Sequence, residues 1–215
     1  MHLIPAVLSN GTGPQLMKPS LFSPEDIQSF LATRVWSEET TLDCYRRHAQ
    51  ERPMALAVRD ANYAYTWSEL DAVTDRLAAS LVSLGLDRDS RALVQMPSSS
   101  REVVLRIAFK TAGLIGAFAP LQWRRRELEY VRERIEPALV VMSPASMEAE
   151  DKAWLDVVLK DGSIHQCIDL DDSGGGMWID WSALFDNAAE CDLVGQLSRR
   201  EFRYCLLYTS DAADE

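Results

Sequence analysis

A chain of 215 residues, 47% of them hydrophobic, is long enough to bury a substantial core. Its formal charge of −11 is unevenly placed: residues 1–142 carry 17 acidic and 17 basic side chains, whereas residues 143–215 carry 16 acidic and 5 basic. That distribution offers no basic footprint for nucleic acid, and the acidic last third reads as a solvated face or a protein-partner surface.

The opening MHLIPAVLSNGTG lacks a basic n-region and a long apolar core, so no signal peptide is expected. Residues 1–35 are expected to be a poorly structured leader, because their first part mixes Gly, Pro, Ser and Asn without periodicity. From Thr41 the pattern becomes regular. TLDCYRRHAQER predicts a short helix stopping at Pro53, and ALAVRD and YAYT predict a hairpin turning at Asp60-Ala61-Asn62.

TWSELDAVTDRLAASLVSLGL carries the strongest helical signal. Thr66 with Glu69 forms a capping box, Leu70, Val73, Leu77, Leu81 and Leu84 make an apolar stripe, and Gly85 supplies the left-handed stop. RALVQM then predicts a buried strand ended by Pro97. Ser99 and Glu102 form a second capping box for SREVVLRIAFKTAG, which closes at Gly113. Serines 98–100 lack the G-x-S-x-G elbow of a nucleophile and are read as capping residues.

LIGAFAPL predicts a strand with small residues, RELEYVRERIEP a helix with Leu128, Val131 and Ile135 on one face, and ALVVM a further buried strand. A helix around MEAEDKAWLDVVLKDG, a strand IHQCIDL and a DDSGGG loop follow. Gly174-Gly175-Gly176 is read as a flexible turn, since no Lys-Ser or Lys-Thr follows it and MWIDW does not open a helix.

Helices alternating with short, nearly all-apolar strands predict an α/β fold: an open, mostly parallel sheet with helices on both faces, from about 41 to 170. The four cysteines show no C-x-x-C and the three histidines no metal-ligand spacing. That argues against a disulfide framework or zinc site and for a reducing, cytoplasmic setting. The most apolar stretch, Val103 to Leu121, is interrupted by Arg106 and Lys110, so no membrane span is predicted. Oligomeric state is left open.

Tyr65-Thr66-Trp67-Ser68-Glu69-Leu70 has the form aromatic-Thr-aromatic-x-Glu-Leu, and Lys110-Thr111-Ala112-Gly113 runs on to Pro120. In this order and spacing, across about residues 36–142, the chain resembles the start of the adenylate-forming (AMP-binding) superfamily of acyl- and aryl-CoA ligases, adenylation enzymes and luciferases. Both motifs are assigned scaffold roles: a strand end with a capped helix start, and a helix stop followed by Gly116 and Ala117, small enough for close packing.

The resemblance implies a two-step ligase. A small-molecule carboxylic acid attacks the α-phosphate of ATP with Mg²⁺ assistance, giving an acyl-adenylate and pyrophosphate; a thiol, often that of coenzyme A, then displaces AMP. In that family the phosphate loop, the adenine and ribose motifs and the C-terminal lysine come later, and none is present here. Residues 36–204 are therefore expected to be a partial N-terminal domain of such a ligase, inactive as this chain. A sheet cut short in this way is expected to leave apolar strands uncovered and the chain poorly soluble or partly molten. The alternatives are a non-catalytic α/β module with an acidic partner surface and, within the ligase class, an aryl-acid adenylation enzyme loading a carrier protein.

The tail CLLYTSDAADE, residues 205–215, is what translation of a common transposase sequencing adapter yields. It is expected to be adapter read-through, with Tyr208-Thr209-Ser210 only imitating a phosphate loop: the Asp and Glu that follow would repel phosphate. One stretch has a candidate binding role. Trp123, Arg124 and Arg125 follow the GAFAPL strand at its carboxyl end, where open α/β sheets place ligands, and the arginines there are expected to lie near the phosphates of coenzyme A. The competing reading is a solvated helix entry in which they pair with Glu127 and Glu129.

Overall fold

The computed structural model describes residues 22–186, apart from 38, 145, 146, 163 and 174. Residues 1–21 and 187–215 lie outside them, and with these the first part of the expected leader and the whole tail 205–215. Contacts divide the chain at Thr40/Thr41 into two units.

In the first unit, helix α1 (Pro24–Ala32) corrects the expectation of a structureless stretch through residue 35. Its signals are local. Ser23 Oγ accepts from the Asp26 amide at 3.1 Å, Asp26 Oδ2 accepts in return from the Ser23 amide at 3.0 Å, and Pro24 occupies the first turn, where its missing N–H costs nothing. Phe22, Phe30 and Trp36 form an aromatic cluster with centroids 4.9–5.5 Å apart.

The second unit opens with α2 (Thr41–Glu51) and an antiparallel hairpin of β1 (Leu56–Arg59) and β2 (Ala64–Thr66). Helix α3 (Trp67–Ser83) starts at the predicted capping box, with Thr66 as N-cap, and ends before Gly85 at φ 77°. Then come β3 (Arg91–Val94), α4 (Ser100–Ala112), β4 (Ile115–Phe118), α5 (Arg125–Ile135), β5 (Leu139–Met142), α6 (Ala149–Lys160) and β6 (Gln166–Asp169). The sheet does not end near residue 170. Trp178–Asp180 add β7, parallel to β6, and α7 (Ala183–Asp186) follows.

All five strands run parallel in the order β4-β3-β5-β6-β7. Strand alternation divides the apolar side chains between two cores. Ala92, Val94, Leu139, Val141 and Ile168 pack with α3 and α4, while Leu93, Val140, Met142 and Cys167 pack with α5 and α6. Leu77, Leu81, Leu105 and Leu128 are buried, each contributing about 1.5–3 kcal/mol of transfer free energy. The uncovered strands expected of a shortened sheet do not appear among the described residues. β3, β5 and β6 are buried on both faces, and the edge strands β4 and β7 are largely half-buried.

The second predicted capping box is only half made. Ser99 Oγ accepts from the Glu102 amide at 3.4 Å, but Glu102 Oε1 is taken by Arg106, whose Nε and Nη2 donate at 2.9 and 2.7 Å. Two donors from one guanidinium, one turn along, hold the Glu102 carboxylate in place of the single cap amide.

Candidate functional site

Chain order reverses between β3 and β5: β3 leads through α4 to β4 on one side, and β5 leads through α6 to β6 on the other. Beyond the carboxyl ends of parallel strands, such a switch point leaves a crevice that no connection crosses. Two concavities lie here. One, of about 270 Å³, is lined by the hairpin tip (Asp60, Asn62, Tyr63), the start of α4 and the ends of β5 and β6. The other, of about 60 Å³, lies between Gln95, Leu121, Arg124, Ser143 and Asp151.

The larger crevice is framed by two side chains. Asp60 Oδ2 accepts from the Ser100 amide and hydroxyl at 2.8 and 2.7 Å, and Oδ1 accepts from the amides of Asn62 and Tyr63 at 2.7 Å each. These bonds, those from Ser100 foremost, hold its carboxyl well below the usual carboxylate range. Arg101 donates through Nη1 to Leu170 O at 2.7 Å and through Nη2 to the Tyr63 hydroxyl at 3.2 Å. Its guanidinium also lies 5.6 and 5.7 Å from the ring centroids of Tyr63 and Trp181. One arginine thus joins the hairpin, α4, the end of β6 and the residue after β7.

At the smaller concavity Gln95, 9% exposed, continues the ladder by donating its amide to Val141 O at 2.9 Å. Its Nε2 crosses to the turn after β4, donating to Pro120 O at 2.8 Å and Trp123 O at 3.0 Å. Trp123 is half-buried against the α5–α6 core. Arg124 and Arg125 are exposed, and their partners include carboxylates beyond those foreseen. Arg124 N donates to Glu127 Oε2 at 3.1 Å, as a helix entry should, but its Nε lies 3.7 Å from Glu148 and 4.0 Å from Asp151. Arg125 N donates to Asp151 Oδ1 at 3.1 Å, and its Nε stands 3.9 Å from Glu129.

Asp60, Arg101 and Gln95 were not singled out in sequence. Gln95 had a visible signal, a lone amide inside the apolar run RALVQM. The partners of Arg101, and Ser100 as the long-range partner of Asp60, are 38 to 80 residues away, and nothing local announces them.

The residues of the two motifs play scaffold roles. Trp67 packs against Tyr45 and His48 at 6.0 and 4.8 Å, with Arg52 over its ring. A Cβ on Gly116 would stand 2.6 Å from Phe118 and 2.9 Å from Phe109. Burial, with Arg106 nearby, lowers the Lys110 pKa.

The larger crevice does not fit a nucleotide triphosphate. Asp60 and Asp171 line it against one arginine that is already engaged, and no glycine among the described residues borders it. Among the described residues no group of three His, Cys, Asp or Glu could hold a metal ion. No helix among them is long and apolar enough to cross a membrane.

A parallel sheet with this switch point, behind these two motifs, defines the class. The family model for AMP-binding enzymes matches residues 45–210, and the chain belongs to that family. It is 27% identical over 141 residues, 65% of its length, to pseudomonine synthase PmsE of Pseudomonas entomophila, and 28% identical over 57% of its length to 2,3-dihydroxybenzoate-AMP ligase of Bacillus subtilis. It spans 23% of the length of each. The apo structure of MbtA from Mycobacterium smegmatis shares the fold at a TM-score of 0.67 and 24% identity, covering 78% of this chain and 31% of that one.

Proposed function

We propose that this chain is the N-terminal part of an ATP-dependent acid–thiol ligase. The parent protein would join a carboxylic acid to AMP with release of pyrophosphate, then pass the acyl group to a thiol. The observation that carries this reading is the family match across residues 45–210. This portion supplies scaffold: two packed cores and a switch-point crevice, with the donors for ATP lying in the remaining length of the protein.

Such catalysis depends on preorganised donors at the phosphates, each typically contributing several kcal/mol, so the 215-residue chain alone is inactive. Acid-dependent pyrophosphate exchange is the test. A chain extended to the length of its relatives exchanges, and this one matches a no-protein control; exchange by this chain would overturn the reading. In the source DNA, an in-frame continuation after codon 204 into a Gly/Ser/Thr-rich loop and a lysine would support it and mark residues 205–215 as adapter.

Two thiols compete as acceptor. Coenzyme A is the reading that gives Trp123, Arg124 and Arg125 a role, since guanidiniums at the carboxyl edge suit its phosphates. Any phosphate must draw Arg124 away from Glu148 and Asp151, whose contacts at 3.7 and 4.0 Å are long for ion pairs. A carrier-protein thiol is the second reading, within the aryl-acid adenylation class to which the name 2,3-dihydroxybenzoate-AMP ligase points. In the extended protein, coenzyme A affinity unchanged by replacing Arg124 and Arg125 with Ala would remove the first.

A further inference from the structure

We propose that Gln95 is a positioning residue for Arg124, a role that rests on the coenzyme A reading of that edge. Gln95 is anchored by its backbone to β5 across the switch point, while its side-chain amide holds the Pro120–Trp123 turn. The carbonyl of Trp123 is shared: it accepts from Gln95 Nε2 at 3.0 Å and from Arg124 Nη1 at 3.3 Å. Arg124 Nη1 also donates to Leu121 O at 2.8 Å, and the Trp123 amide donates to Pro120 O at 3.1 Å. One buried amide therefore fixes both carbonyls that shape the turn from which Arg124 emerges. A strand that needed only burial would have an apolar residue here, because an amide in this position is tolerated only when bonded.

Two variants test this, Gln95→Met and Gln95→Glu. Met keeps the volume and removes both donors; Glu also sets a carboxylate against two carbonyl oxygens. In the 215-residue chain, hydrogen exchange at the amides of Trp123, Arg124 and Arg125 is expected to speed by about tenfold, with the hairpin amides of residues 63–66 unchanged. Unchanged exchange at the turn, or an equal rise across the sheet, would overturn the positioning role. In the extended protein, Gln95→Met is expected to raise the KM for coenzyme A without changing kcat, and Arg124→Ala to do the same. If the turn loosens but neither variant moves that KM, the coenzyme A reading fails and the hold of Gln95 on the turn stands.

Discussion

Asp60 and Ser100, 40 residues apart, are joined by two hydrogen bonds from the amide and hydroxyl of Ser100 to a single carboxylate oxygen, at 2.8 and 2.7 Å. The hairpin tip thereby caps the first turn of α4, while Ser99, the helix's own N-cap, takes the Glu102 amide, two residues beyond that of Ser100.

Asp60→Asn is expected to lower the melting temperature at neutral pH, because a neutral amide neither matches four donors nor favours a helix N-terminus. The pH dependence has a defined sign. A carboxyl depressed in the folded state stabilises above its ordinary value near 3.8 and loses that contribution as pH falls below it. The difference in melting temperature between wild type and variant should therefore shrink in acid. A constant gap down to the acid limit of folding would show that the charge is not involved.

Arg101→Met should cost about 1.5–3 kcal/mol in urea denaturation, since it removes a charge-assisted bond to Leu170 O, the bond to the Tyr63 hydroxyl and contacts with two aromatic rings. Arg101→Lys should recover less than half. An ammonium retains the charge but cannot present two planar donors to acceptors on separate segments. Full rescue by lysine would reduce the joint to simple charge.

Gly116→Ala should destabilise by about 1–3 kcal/mol, because a new Cβ would enter the space of the Phe109 and Phe118 rings. Of the two rings, Phe109 is 2% exposed, with little room to retreat. Phe118 carries Arg106 stacked 3.6 Å from its centroid. Chemical denaturation of the variant measures the cost. A neutral outcome would mean that the Phe118 ring swings aside freely.

Cys167 should resist alkylation in the native chain. Burial pushes its thiol up to about 12, and the residue is 1% exposed between β5 and β7. Cys44, partly exposed on α2, should react first. Mass mapping after iodoacetamide, with and without urea, distinguishes the two; native labelling of Cys167 would reveal opening of β6.

How much of this was legible beforehand depended on range. The capping box Thr66–Glu69, the stop at Gly113 and the stripe from Leu70 to Leu81 were read correctly, since each rests on bonds or periodicity within a few residues. The signal of α1 is equally local, in Ser23-Pro24-Glu25-Asp26, but it is set in a stretch whose aperiodic composition reads as leader. β7 could not be read in the same way. Three residues of MWIDW become a strand only because β6 offers an edge for them to pair with. At Glu102 the sequence pattern fits two partners, because a capping box and an i,i+4 pair compete for one carboxylate, and packing decides for Arg106.

Local chemistry, carried along the chain as period, cap and turn, determined the α/β class, most element positions and the family. Strand order, the switch point between β3 and β5, the capture of α4 by Asp60 and the grip of Gln95 on the Trp123 turn were decided only in three dimensions. The reason is physical. A buried polar group must find a partner wherever the packed chain brings one, and that partner's distance along the sequence leaves no periodic trace.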